Sequence, residues 1–153
     1  MDASRLADLE AIKQLKARYF RLMDTKQWSA WGDVFTEDCT MQNGPPSEPP
    51  VRGRPAIVAY VKAAIDALRT VHHGHMPEIE FTGADTATGV WAMFDQLRGP
   101  GFALDGWGHY HESYRRCADG RWRIASTRLS RLRVESPDPA LVAALWPEGA
   151  SRP

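Results

Sequence analysis

The stretch RTVHHGHMPEIEF, Arg69 to Phe81, is where the chain changes its period. Upstream, apolar residues recur at three- and four-residue steps. Downstream they alternate imperfectly, and β-branched and aromatic residues crowd in. The segments MPEIEF, TATGVWAMFDQL, GHYHESYRRC and RWRIASTRLSRLRVE read as strands, and TGAD and ADG as compact turns between them. Helices followed by an antiparallel meander make an α+β fold.

Upstream of the switch, Leu6, Leu9, Ile12, Leu15, Tyr19 and Leu22 predict an amphipathic helix of about five turns with one buried stripe. Ser4 is its expected N-cap. Trp28, Trp31 and Phe35 predict a short second helix packed by its aromatics, and FTEDCTMQ a short strand. NGPPSEPPVRGRP carries five prolines in 13 residues, so it reads as a surface loop. Ile57, Tyr60, Val61, Ala64, Ile65 and Leu68 mark a third helix starting near Pro55. The tail SPDPALVAALWPEG predicts a short closing helix with Leu141 and Leu145 on one side. We expect one domain over 1–153, with its core over 6–134 and a tail over 135–153.

Lys plus Arg equals Asp plus Glu, 19 against 19. That balance gives no basic footprint for nucleic acid or an anionic membrane. No run of ~18 apolar residues predicts a membrane span. The start MDASRLADLEAIKQL has charges throughout and no signal-peptide core. Cys39 and Cys117 lie far apart, and we expect reduced thiols in a cytoplasmic protein. No glycine-rich phosphate loop implies a nucleotide cofactor.

All five histidines sit in two places, His72, His73 and His75 in VHHGH and His109 with His111 in GHYHE. A metal site, a catalytic base and no function at all compete as explanations. In an extended strand His73 faces away from His72 and shares its face with His75, unless a bulge near Pro77 intervenes. The pairs His73/His75 and His109/His111 could each offer imidazoles to a transition metal. No helical His spacing and no cysteine cluster supports that, so we expect no metal. Asp95 follows the apolar VWAMF; there an unpaired carboxylate is expensive, so it needs a partner or a task in a pocket. Arg128 shares parity with Ile124 and Ser126, and so is preferred to Arg131 as a contact for an anionic or carbonyl oxygen.

The ordered set of a first helix, MDTKQW, a GRPAI helix, TVHHGH and four strands ending in DGRWRI resembles the SnoaL-like branch of the nuclear transport factor two superfamily. The similarity covers about Leu6 to Val134. It implies a cone-shaped α+β barrel: three N-terminal helices on a curved, mainly antiparallel sheet enclosing a pocket. The branch includes scytalone dehydratase, hexachlorocyclohexane dehydrochlorinase, bile-acid 7α-dehydratase, ketosteroid isomerase and polyketide cyclases. In the first three an Asp after the first helix supports a His at the start of the sheet, and Asp24 and His72 match those positions. Tyr19 and Asp95 match further residues of the bile-acid enzyme. Met23 stands where scytalone dehydratase has a Tyr, and its second catalytic His has no counterpart here. The resemblance also favours the His109/His111 face as the pocket lining, against a packing in which Tyr110 and Tyr114 point inward. It further implies a homodimer formed through the outer face of the sheet.

A carboxylate on Nδ1 would fix the imidazole tautomer and leave Nε2 to take a proton. The expectation is therefore a cofactor-independent dehydratase, eliminase or isomerase acting on a hydrophobic cyclic substrate such as a steroid or polyketide. His72 would be the base and Asp24 its orienter, with Tyr19, His109 or Asp95 assisting. His109, His111, Arg128, Trp91 and Met23 would contact substrate. A non-catalytic ligand-binding or assembly domain and a metal-dependent enzyme are the rivals. PPSEPP and the loop Arg98 to Gly108 are the expected rims of the pocket mouth.

Overall fold

The computed structural model describes residues 2–150. Helix α1 (Ala3–Asp24) is followed by α2 (Trp28–Gly32), strands β1 (Phe35–Gln42) and β2 (Val51–Arg52), and α3 (Arg54–Ile65). The meander β3 (Arg69–Phe81), β4 (Thr86–Gly99), β5 (Phe102–Arg116) and β6 (Trp122–Glu135) comes next, closed by α4 (Pro139–Leu145) and α5 (Pro147–Ala150). One six-stranded sheet has the order β2-β1-β6-β5-β4-β3. Only β1 with β6 is parallel; the other neighbours are antiparallel. The expected α+β architecture stands, but the sheet is open, with β2 and β3 as its edges, rather than a closed barrel.

Two local expectations need correction. The N-cap of α1 is Asp2, whose Oδ1 accepts from the Arg5 amide at 2.9 Å, and Ser4 lies inside the helix. A carboxylate there answers both an unpaired amide and the positive end of the helix dipole. The breakers between Arg98 and Gly108 do not make a loop. β4 and β5 turn through Pro100 and Gly101, whose φ is +68°, and β5 starts at Phe102. The glycines at 106 and 108 lie inside the strand instead.

The core lies between the helices and one face of the sheet. Ile12, Leu15, Tyr19, Leu22 and Met23 form the buried stripe of α1. Trp31 of α2 and Phe35 meet edge to face at 4.8 Å, so the expected aromatic packing is made, although Phe35 opens β1 rather than belonging to the helix. Ile57, Val61 and Ile65 bring α3 to the same core, and Leu141 and Leu145 pack on its margin. No helix among the described residues is long and apolar enough to cross a membrane.

Candidate active site

Asp24 is the last residue of α1, and 48 positions separate it from His72 on β3. A carboxylate at a helix C-terminus opposes the helix dipole, so it needs donors. The start of β3 supplies three. Asp24 Oδ1 lies 2.7 Å from His72 Nδ1 and accepts from Thr70 Oγ at 2.9 Å. Oδ2 accepts from the His72 amide at 2.8 Å. Lys26 Nζ donates to Thr70 Oγ at 2.8 Å and brings a positive charge behind the cluster. The amide contact fixes the position of the strand, and the ring contact fixes the tautomer. A neutral imidazole that donates Nδ1–H to Asp24 leaves Nε2 as the acceptor nitrogen.

His72 and Asp24 lie on a cleft of about 560 Å³ between α1 and edge strand β3. Lys13, Ala17, Phe20, Arg21 and Asp24 form one wall at helical spacing. His72, His73, Gly74, His75 and Pro77 form the other, and Trp91 of β4 closes the end. Gly74 is needed there, because a Cβ would come within 2.7 Å of the Phe20 ring. His73 and His75 are exposed with ring centroids 5.9 Å apart. The β3 bulge falls after them, between His75 and Glu78. No group of three metal-ligating side chains gathers among the described residues.

The structure separates the remaining candidates from this cleft. Tyr19 and Met23 belong to the stripe of α1 that faces the core, roughly one 100° step around the helix from Phe20 and Asp24. Burial, and then the charge of Glu112, push the Tyr19 hydroxyl's pKa well above the ordinary range, so it stays protonated. Asp95 is the cross-strand neighbour of His72. Its partner is Arg131, which donates to both oxygens at 2.8 and 3.0 Å. This pair occupies the space over Gly106, where a Cβ would clash with both side chains.

The His109/His111 expectation is overturned. Tyr110, Glu112 and Tyr114 are the buried face of β5, while His109 and His111 lie on the outer face. His111 Nε2 is 2.9 Å from Ser130 Oγ, and burial followed by the charge of Arg128 lowers its pKa. Arg128 is exposed on the same outer face. A register shift between Ser113 and Tyr114 breaks the parity of β6, so Thr127 and Arg131 point inward where simple alternation selects Arg128. Neither expected rim borders the cleft: Pro50 instead touches a hollow on the outer face.

A second cluster lies outside the residues singled out from the sequence. Lys16 is fully buried, and its Nζ donates to Glu112 Oε1 at 2.5 Å. The ammonium stands 3.8 Å from the ring centroids of both Tyr19 and Tyr110. Tyr114 donates to Glu112 Oε2 at 2.7 Å and Thr127 to Oε1 at 3.1 Å. Trp91, whose ring lines the cleft, donates Nε1 to the Tyr114 hydroxyl at 2.8 Å. The network pins α1, which carries Asp24, to the inner face of β5. Lys16 on the stripe of α1 was the available signal, since a charged residue there demands a buried counter-charge.

A family model for the SnoaL-like domain matches residues 4–128. The chain belongs to the SnoaL-like family. Among solved structures, this SnoaL-like protein is similar to Rv3472 of Mycobacterium tuberculosis, a protein of unknown function. The two share 29% identity over 85% of this chain and 75% of that one, with a TM-score of 0.73. A Novosphingobium aromaticivorans protein provisionally named a scytalone dehydratase superposes with a TM-score of 0.80 at 20% identity, covering 90% and 93%. A hexachlorocyclohexane dehydrochlorinase, LinA type 2, gives a TM-score of 0.77 at 19% identity, covering 88% and 92%. At these last two identities the likeness is one of fold.

Proposed function

We propose that this SnoaL-like protein is a cofactor-independent lyase, a dehydratase or related eliminase, acting on a hydrophobic cyclic substrate in the α1–β3 cleft. The observation that carries it is the 2.7 Å contact of Asp24 with His72 Nδ1, made at the wall of an apolar cleft. His72 Nε2 takes the proton next to an activating carbonyl. The electron pair of that C–H bond forms the new double bond as the C–O bond to the leaving hydroxyl breaks. The imidazolium returns its proton to the departing hydroxide, giving water and neutral His72. Asp24 holds the ring and stabilises its transient positive charge. Tyr19 and Asp95 support this chemistry from behind the wall, through the packing of α1 and of β4.

Screening steroids, bile acids and aromatic polyketides for loss of water by mass spectrometry supplies the substrate. With it, His72→Ala should cost ~10²–10⁴-fold in kcat, the usual contribution of a positioned base. Asp24→Asn should cost about the same, by favouring the wrong tautomer. Turnover within a few-fold of wild type in His72→Ala would refute the mechanism. The reading also places the protein in the cytoplasm as a homodimer. The contact would lie on the outer sheet face, around the hollow lined by Gln42, Val90, His111 and Arg128.

A further inference from the structure

The elimination uses one end of the cleft and leaves its charges idle. Lys13 and Arg21 stand eight residues apart on α1, about 12 Å along its axis. Both are exposed and both line the cleft. Among the described residues neither lies within ion-pair distance of a carboxylate. Asp24, the acid on the cleft wall, has both oxygens engaged by Thr70 and His72. Across the cleft, His73 and His75 add two exposed imidazoles and no negative charge. Between the rims the lining is apolar, with Ala17, Phe20, Pro77 and Trp91.

An apolar trough with unanswered cations on its rim suits one kind of ligand. A neutral ring compound would leave both cations idle, and a cationic one would be repelled. An amphipathic acid would bury its ring system against Phe20 and Trp91 and present its charge to the rim. The guanidinium fork of Arg21 matches the paired oxygens of a carboxylate or sulfate, and Lys13 adds a point charge. We propose that the cleft takes a hydrophobic acid, a ring-bearing ligand whose oxyanion is held by Arg21 and Lys13. This rests on the cleft being the substrate site, and it does not require His72 to act as a base.

Equilibrium dialysis against three probes tests it: deoxycholate below its micellar threshold, methyl deoxycholate, and dehydroepiandrosterone sulfate. Deoxycholate should bind the wild-type protein about tenfold or more tighter than its methyl ester, a gap of ~1.4 kcal/mol. That gap should close in Lys13→Gln/Arg21→Gln and shrink as salt is raised, because exposed charges are screened. Tight binding of the sulfate assigns the rim to oxyanions in general; weak binding of the sulfate assigns it to carboxylates. An ester that binds as tightly as the acid overturns the proposal. So does a gap that survives in the double variant, or no binding of either acid. His72→Ala separates the two ideas, since it should keep the preference for the acid whatever it does to turnover.

Discussion

Replacing Lys16 by Met would show what holds α1 against the sheet, and with it the helix end that carries Asp24. Methionine keeps most of the stem but removes the ammonium that lies 2.5 Å from Glu112 Oε1 and 3.8 Å from two ring centroids. The Glu112 carboxylate would stay buried with two neutral donors, the hydroxyls of Tyr114 and Thr127. Removing one partner of a buried ion pair costs ~3–5 kcal/mol. The two surviving hydrogen bonds put Lys16→Met at the low end, near ~3 kcal/mol. For a chain of this length that is a fall of roughly 6–12 °C in Tm. Urea unfolding followed by circular dichroism gives the free energy directly. The double variant Lys16→Met/Glu112→Leu should recover part of the loss, because an apolar pair of similar volume needs no desolvated charge. It should not recover all of it, since Tyr114 and Thr127 then both lose their acceptor. A Lys16→Met protein within ~1 kcal/mol of wild type would refute the reasoning, because no buried carboxylate loses its counter-charge so cheaply. So would a double variant less stable than the single one.

Three further outcomes follow from particular contacts. Gly106→Ala should displace the Arg131–Asp95 pair, because its Cβ falls on both side chains; a loss of ~1–3 kcal/mol is expected, and unchanged unfolding would contradict the geometry. Burial, then the charges of Glu112 and Asp38, push the Cys39 thiol up to about 12, so the folded protein keeps this proton above the ordinary thiol value of 9.0. Stability from this group is therefore complete below 9.0 and lost as pH rises towards 12; at pH ~8 a thiol reagent should label Cys117 in the native state, and Cys39 only after unfolding. Light scattering should give twice the 17.1 kDa chain mass at micromolar concentration, and a monomer would exclude the dimer.

The sequence by itself determined the main elements and their order, though not the short edge strand β2, the second closing helix α5 or the start of β5. The apolar period of α1, the aromatics of α2, the breakers before α3 and the alternation after Arg69 are local properties, and local sterics and burial settle them. The Asp24–His72 pair was reachable only through a family resemblance, because 48 residues separate the two. What tertiary structure alone decided is which face of each strand looks inward. Alternation defines two faces without naming the buried one, and a single bulge in β6 exchanges them, which moved Arg131 in and Arg128 out. Glu112 on the tyrosine face of β5 signals solvent to anyone reading one strand. Its counter-charge comes from Lys16, 96 residues away, and only the packed helix reveals that the charged face is the buried one. Likewise the walls of the cleft follow from where α1 meets edge strand β3, a distance in space that no local pattern encodes.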